Sequence, residues 1–153
     1  MDLKEFKQQI KPHTAILGFD YGEKRLGVAS SDLLWMVATA QKTIFRTNIK
    51  DDIKHIKKLA EEKEAGGIIY GLPLQMNGEE GETASAVRKF AEKVYSELPL
   101  PYTFWDERLS SRAIENFLIK QVDMSRSKRK QVLDSSSAAY ILQGALDALS
   151  LQL

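Results

Sequence analysis

The strongest constraint on the fold is a change in hydrophobic period partway along the chain. The first part contains three short apolar runs separated by turn-forming residues, at 14–19, 25–31 and 37–45. Such runs predict three strands with short connections, an antiparallel meander. From Ile49 onward, apolar residues recur at helical spacing, and short apolar runs alternate with these stripes. The sequence therefore predicts a meander followed by alternating helices and strands.

Two helices and two strands are predicted in this second part. Apolar stripes at helical spacing run through 49–60 and 87–98, and short apolar runs occupy 68–70 and 102–105. Each strand follows a helix, which is the order of a crossover between parallel strands. Gly66-Gly67 is expected to stop the first of these helices.

The predicted fold class is α/β. It is a mixed five-stranded sheet, with a three-strand antiparallel meander plus two parallel strands, flanked by helices. One domain is expected to span 1–153, with 1–12 as an N-terminal helical extension. Ser110 or Ser111 is expected to cap a further helix, and a final helix to reach about Leu149.

Composition excludes several kinds of site. The chain has no cysteine and two histidines, so disulfides, thiolate metal sites and histidine zinc sites are set aside. Any metal would be a hard cation with oxygen ligands, such as Mg²⁺ or Mn²⁺.

No run approaches the ~18 apolar residues of a membrane span, and the N-terminus lacks a signal-peptide pattern. A cytoplasmic protein is expected. The net charge of +1 means that binding to nucleic acid would depend on local charge.

Three acidic residues stand at boundaries of the predicted elements. Asp20 follows the first strand, Glu107 follows the last, and Asp134 begins the final helix. Because chain ends at neighbouring strands meet at one edge of an open sheet, the three carboxylates are expected to converge. Such a group would hold divalent cations, which support phosphodiester hydrolysis.

Each acid also has a simpler interpretation. Asp20 begins an Asp-x-Gly sequence of the kind found in turns. Asp106 and Glu107 are both suited to a solvated position after a strand, and their positions alone do not choose between them. Asp134 could cap its helix. Apolar residues four and seven positions later place it instead on the face that would pack against the sheet.

Basic residues lie close to the acids in sequence. They indicate a grip on backbone phosphates, although a solvated loop or helix face is the alternative. No aromatic residues alternate with them, so base stacking is not predicted. The candidate substrate-binding residues are Lys24, Arg25, Arg108, Arg126, Lys128, Arg129 and Lys130.

Four segments together resemble the YqgF family. They are GFDYGEKRLGVA at 18–29, GLPLQMNG at 71–78, DERLSS at 106–111 and DSSSAAYILQ at 134–143. They occur in the family's order and cover nearly the whole chain. The resemblance implies a ribonuclease H-like fold and a Holliday-junction-resolvase-like nuclease of ribosome biogenesis, which matures the 5′ end of pre-16S ribosomal RNA.

The resemblance also assigns the site. It implies that Asp20, Glu107 and Asp134 are the catalytic and metal-binding residues, and it prefers Glu107 to Asp106. Related true resolvases carry another acid one helical turn after the last catalytic aspartate, where this chain has Ser137. We therefore expect one Mg²⁺ or Mn²⁺ ion, and a second only with substrate.

The leading hypothesis is a hydrolase that cuts structured RNA, with precursor ribosomal RNA as its partner. A DNA junction resolvase would use the same residues on branched DNA and would require a two-fold homodimer. A non-catalytic nucleic-acid-binding protein would bind in a salt-dependent manner without metal. An ATPase of the actin-hexokinase kind also opens with Asp-x-Gly, but it needs two such domains.

Overall fold

A computed structural model describes residues 1–109 and 126–151, with side chains for 1–108 and 137–151. The helix predicted after Ser110 or Ser111 lies outside these residues. The elements in chain order are α1 (Leu3–Gln9), β1 (Ala15–Tyr21), β2 (Arg25–Ser31), β3 (Ala38–Ala40), β4 (Ile44–Phe45), α2 (Ile49–Glu62), β5 (Ala65–Leu72), α3 (Glu82–Glu97), β6 (Tyr102–Asp106), a 3-10 turn (Glu107–Leu109) and α4 (Arg126–Ser150).

The described strands form one mixed sheet in the order β3-β2-β1-β5-β6, and β4 also pairs with β2. The strands β1, β2 and β3 pair antiparallel, whereas β5 runs parallel to both β1 and β6. This arrangement confirms the predicted α/β class, with a meander and two parallel strands. Because β1, β5 and β6 are parallel, their carboxyl ends lie at the same edge of the sheet.

The predicted third strand, 37–45, is divided into β3 and β4. Between Ala40 and Ile44 the chain advances four residues, whereas the paired stretch of β2, from Ala29 to Leu26, advances three. One residue is therefore left over, as in a β-bulge, and regular pairing is interrupted. The described sheet has six strands instead of five for this reason.

The sheet carries a separate apolar core on each face. Helices α2 and α3 cover one face, where Phe19, Tyr70 and Phe90 belong to one buried cluster. Helices α1 and α4 cover the other, where Phe6 and Leu142 are fully buried. The predicted N-terminal helix therefore contributes to the core. Among the described residues, no helix has the length and apolar character needed to cross a membrane.

Gly66 and Gly67 lie within β5 and do not end the preceding helix. That helix ends at Glu62, and Glu64 adopts a positive φ of 55° just beyond it. The glycines are explained by close neighbours. A Cβ at position 66 would lie 2.0 Å from Thr14 Oγ1, and one at position 67 would lie 2.7 Å from Phe6 Cζ.

Helix α4 lies unusually close to β1. A Cβ at Gly18 would be 2.7 Å from Leu142 Cβ and 3.3 Å from the backbone oxygen of Ala138. Neither atom can rotate away, because both are fixed to the helix backbone. Glycine at this position therefore sets how near the helix lies to the sheet.

We predict that Gly18→Ala destabilises the protein more than Gly67→Ala. The first substitution presses against the α4 backbone, whereas the second meets only the outer atoms of the Phe6 and Ile10 side chains. The expected losses in free energy of unfolding are about 2–3 and about 1 kcal/mol, respectively. Urea unfolding at constant m value measures both. Equal losses would contradict the conclusion that the backbone of α4 limits how closely this helix can approach β1.

Candidate active site

Asp20 lies inside β1 instead of following it. It is the sixth of seven residues, and it pairs with Gly27 of β2. The antiparallel pairing continues to Tyr21, so the connection begins at Gly22. The expected strand end at Phe19 is therefore wrong by two residues. Side chains alternate along a strand, so Asp20 shares the α4 face of the sheet with Gly18.

Glu107 begins the 3-10 turn directly after β6, as predicted. Its carboxyl group forms a hydrogen bond with the carboxyl group of Asp20. Partial burial, the neighbouring charge of Asp20 and this hydrogen bond raise the pKa of Glu107 to about 8. Two carboxyl groups in hydrogen-bond contact share a proton, and burial makes the doubly charged state costly.

Two glycines provide the space for this carboxyl pair. A Cβ at Gly71 of β5 would lie 2.6 Å from Glu107 Oε1 and 2.7 Å from Ile141 Cδ1. A Cβ at Gly27 would lie 3.2 Å from Asp20 Cβ and 3.6 Å from Ala138 Cβ. Sequence reasoning missed both positions. Their signal was a glycine inside an apolar strand, which indicates close approach of another group.

The neighbouring acids Asp106 and Glu107 contact different residues. Asp106 accepts hydrogen bonds from the backbone and guanidinium of Arg108, with a closest ion-pair distance of 2.7 Å. The side-chain hydrogen bond from Arg108 lowers the pKa of Asp106. The structure thus brings Glu107, and not Asp106, to Asp20. Arg108 also donates to the backbone oxygen of Gln75 at 3.5 Å.

Asp134 does not begin its helix. Helix α4 starts at Arg126, eight residues earlier, so the helix-cap interpretation of Asp134 is wrong. The side chain of Asp134 lies outside the described residues. Its position is four and seven residues before Ala138 and Ile141, which are 1% and 3% exposed. Helical periodicity therefore places position 134 on the face of α4 that carries both residues.

The predicted basic residues are only partly described. Lys24 lies in the β1–β2 turn and Arg25 begins β2, and both are exposed near the strand edge that carries Asp20. The stretch 126–130 belongs to the first turns of α4, and its side chains lie outside the described residues. The structure thus leaves the proposed phosphate grip of this stretch as a prediction.

A buried ion pair, also missed in the sequence, supports the turn after Asp20. Arg46 donates to Asp52 at 3.0 Å and to the backbone oxygen of Gly22 at 2.9 Å. Its guanidinium lies over the ring of Tyr21, 4.8 Å from the centroid. Asp52 is 1% exposed and also accepts from the backbone of Thr47. These contacts tie the turn to the start of α2.

The donor set fits a hard divalent cation. Among the described side chains, no group of three metal-binding residues is found, so Asp20 and Glu107 form a pair to which position 134 would add. Carboxylate oxygens are the ligands that Mg²⁺ and Mn²⁺ prefer. A cation would also offset the repulsion that, together with burial, raises the pKa of Glu107.

A family model supplies the assignment. The model named RuvX and described as Holliday junction resolvase matches residues 14–148. The chain belongs to the RuvX family. A Rhodospirillum rubrum protein named "Putative pre-16S rRNA nuclease" is 42% identical over 150 residues, which cover 98% of this chain and 93% of that protein. A Phenylobacterium zucineum protein of the same name is 43% identical, covering 97% and 96%.

These matches confirm the resemblance to the YqgF family and the predicted class of protein, a nuclease. A solved structure extends the comparison to the fold. T. thermophilus RuvC, in a complex with a Holliday junction substrate, superposes with a TM-score of 0.56 at 9% identity, covering 92% of this chain and 98% of that chain. At this identity the similarity concerns the fold alone, and it confirms the ribonuclease H-like architecture.

We predict that Glu107 makes the protein less stable as pH rises when no metal is present. The pKa of Glu107 is about 8 in the folded chain, against an ordinary value of 4.5. Between these values the folded state holds more protons than the unfolded state, so the free energy of unfolding falls with rising pH. Glu107→Gln should remove this fall and stabilise the protein at pH 8 by about 1–2 kcal/mol, a value reduced for solvent screening.

Urea unfolding in EDTA at several pH values measures this effect. The matched control is Glu62→Gln, which removes an exposed carboxyl group from the end of α2. The control should keep the pH slope of the original protein. Parallel pH slopes for the Glu107 variant and the original protein would rule out a raised pKa at Glu107.

Proposed function

We propose that this protein is a metal-dependent nuclease that cuts phosphodiester bonds in structured RNA. The observation that carries the proposal is the contact between the Asp20 and Glu107 carboxyl groups at the carboxyl edge of parallel strands. Such a pair lowers the stability of the fold, and its carboxylate oxygens are suitable ligands for a cation. Membership of a nuclease family supports the same conclusion.

Asp20, Glu107 and Asp134 would hold the cation. When bound, a divalent cation supplies Lewis-acid stabilisation of the charge on the phosphate and on the leaving oxygen. Because the pKa of Glu107 is raised to about 8, this carboxyl group would hold a proton at neutral pH in the absence of a cation. Release of that proton accompanies cation binding, so cation affinity should increase as pH rises toward about 8.

Basic residues at the same edge would position the substrate. Lys24 and Arg25 are exposed close in sequence to Asp20, and Arg108 follows Glu107 with its guanidinium held against Asp106. The stretch 126–130 begins the helix that carries Asp134. Cations around a carboxylate site attract the phosphate backbone and compensate for the repulsion between phosphate and carboxylates.

Precursor ribosomal RNA is the proposed substrate, with processing at the 5′ end of pre-16S rRNA in the cytoplasm. This finer assignment is supported by the names of the two relatives, which are more than 40% identical over nearly full length. We expect one resident Mg²⁺ or Mn²⁺ ion. A second ion would be retained with the substrate phosphate, because position 137 offers a serine where another acid would stand.

Branched DNA is the second candidate substrate. The description of the matching family model, Holliday junction resolvase, favours it. The same carboxyl pair would serve, but symmetric cutting of two strands requires a two-fold homodimer. A protein that remains monomeric with a four-way junction and leaves it intact would remove this candidate.

We predict that Asp20→Asn abolishes cleavage without unfolding the protein. The substitution keeps the shape of the side chain but removes a charge that would bind the cation. Cleavage of labelled precursor RNA in Mg²⁺ should fall by at least about 100-fold. Calorimetry should show loss of Mg²⁺ or Mn²⁺ binding, while the melting temperature in EDTA is unchanged or higher.

The matched control is Asp147→Asn, which removes an exposed carboxylate on α4 that accepts from Gln143. This variant should bind the cation and cleave RNA like the original protein. If Asp20→Asn and Asp147→Asn cleave RNA equally well, the assignment of Asp20 is wrong. Metal binding without cleavage of any RNA or branched DNA would instead reject the nuclease.

A further inference from the structure

A lysine-lined groove lies between α2 and α3, on the opposite face of the sheet from α4. The groove has a volume of about 500 Å³. Lys50, Lys54 and Lys57 line it from α2, and Lys93 lines it from α3. The three α2 lysines are spaced by four and three residues, which places them on one side of the helix.

The groove concentrates positive charge in a protein whose net charge is only +1. All four lysines are exposed, and Glu97 is the acidic residue in the lining. Glu97 approaches Lys57 at 3.9 Å, with both side chains about half exposed or more. Lys50, Lys54 and Lys93 line the groove, and none of them belongs to an ion pair found among the described residues. The groove is therefore complementary to a polyanion.

The lysine ammonium groups of the groove favour a negatively charged occupant. Ile53 is 7% exposed and belongs to the core beneath the groove. Ile49, which is only partly buried, and the lysine stems contribute apolar surface to the groove, so the choice of a polyanion rests on the charge of the four ammonium groups. Lysines are flexible point charges that follow an irregular line of phosphates.

We propose that this lysine groove binds the phosphate backbone of a structured RNA, remote from the carboxyl pair. The choice of RNA rests on the proposed function. Asp20 lies on the α4 face of the sheet, whereas the groove belongs to the α2–α3 face. An RNA held at both places would have to pass around the protein from one face of the sheet to the other. The groove would therefore select long, structured precursors over short strands.

Binding measurements in an Asp20→Asn background test the groove without cleavage. The groove variant carries Lys50→Gln, Lys54→Gln and Lys93→Gln, and it keeps the Lys57–Glu97 pair. A labelled RNA stem-loop with single-stranded flanks is titrated by fluorescence anisotropy at several salt concentrations. Loss of three phosphate contacts should weaken binding at least about tenfold and reduce the salt slope of log K by about 2.

The control variant removes the same charge elsewhere, through Lys4→Gln, Lys11→Gln and Lys42→Gln, all at exposed positions. It should bind RNA more tightly than the groove variant, with a salt slope near that of the parent. Equal weakening by the two variants would overturn the groove as a specific site, because it would reflect net charge alone.

Lysine footprinting gives a measurement that does not depend on substitution. Bound RNA should protect Lys50, Lys54 and Lys93 from acetylation, and leave Lys4 reactive. Unchanged reactivity of the groove lysines with RNA bound would overturn the proposal. Cleavage of the same RNA by the protein with Asp20 intact is scored separately. RNA binding through the groove without cleavage would reject this RNA as the cleaved substrate and keep the groove, whereas cleavage without protection of the groove lysines would reject the groove and keep the nuclease.

Discussion

The structure depends on the close docking of α4 against the sheet. Gly18, Gly27 and Gly71 lie on the face that α4 covers, and each would place a Cβ within 3.6 Å of an atom carried by that helix. Near contact over this length contributes dispersion that a larger separation would lose. The docking also determines where position 134 lies relative to Asp20 and Glu107. The same glycines that pack the core therefore set the height of the helix above the site.

The carboxyl pair works against the stability of the fold. Burial and mutual repulsion raise the pKa of Glu107 to about 8, and the site accepts this because protons or cations relieve the repulsion. The residues on either side of the pair make contacts of their own. Arg108 engages Asp106, and Arg46 holds the turn after Asp20 through Gly22 and Asp52. Polar contacts thus fix the residues that flank the two mutually repelling groups.

The period of the hydrophobic pattern was sufficient to predict the meander, the crossovers and the edge of the sheet at which distant strand ends meet. These features depend on which residues need burial. It did not locate the start of α4, since the polar residues at 126–131 carry little apolar signal. It also predicted a helix end at Gly66-Gly67. These glycines instead leave room for Thr14 and Phe6, which are far away in sequence. The separation of Glu107 from Asp106 depends on Arg108, and such tertiary pairing is not visible in a local pattern. The assignment of Asp134 came from resemblance and helical register, and remains a prediction.

The interrupted third strand has a further consequence for how this molecule meets its copies. The segments β3 and β4 together present only five paired residues at the outer edge of the sheet, and the surplus residue between them breaks the line of free amides and carbonyls. An unbroken edge would be a template for another chain to add a strand. At the opposite edge of the described sheet, the Thr103 hydroxyl of β6 donates to the backbone oxygen of Met1 at 2.6 Å, so the N-terminus lies close to this strand. The irregular pairing of β3 and β4 thereby limits edge-to-edge addition of another strand at the β3–β4 margin of the described sheet.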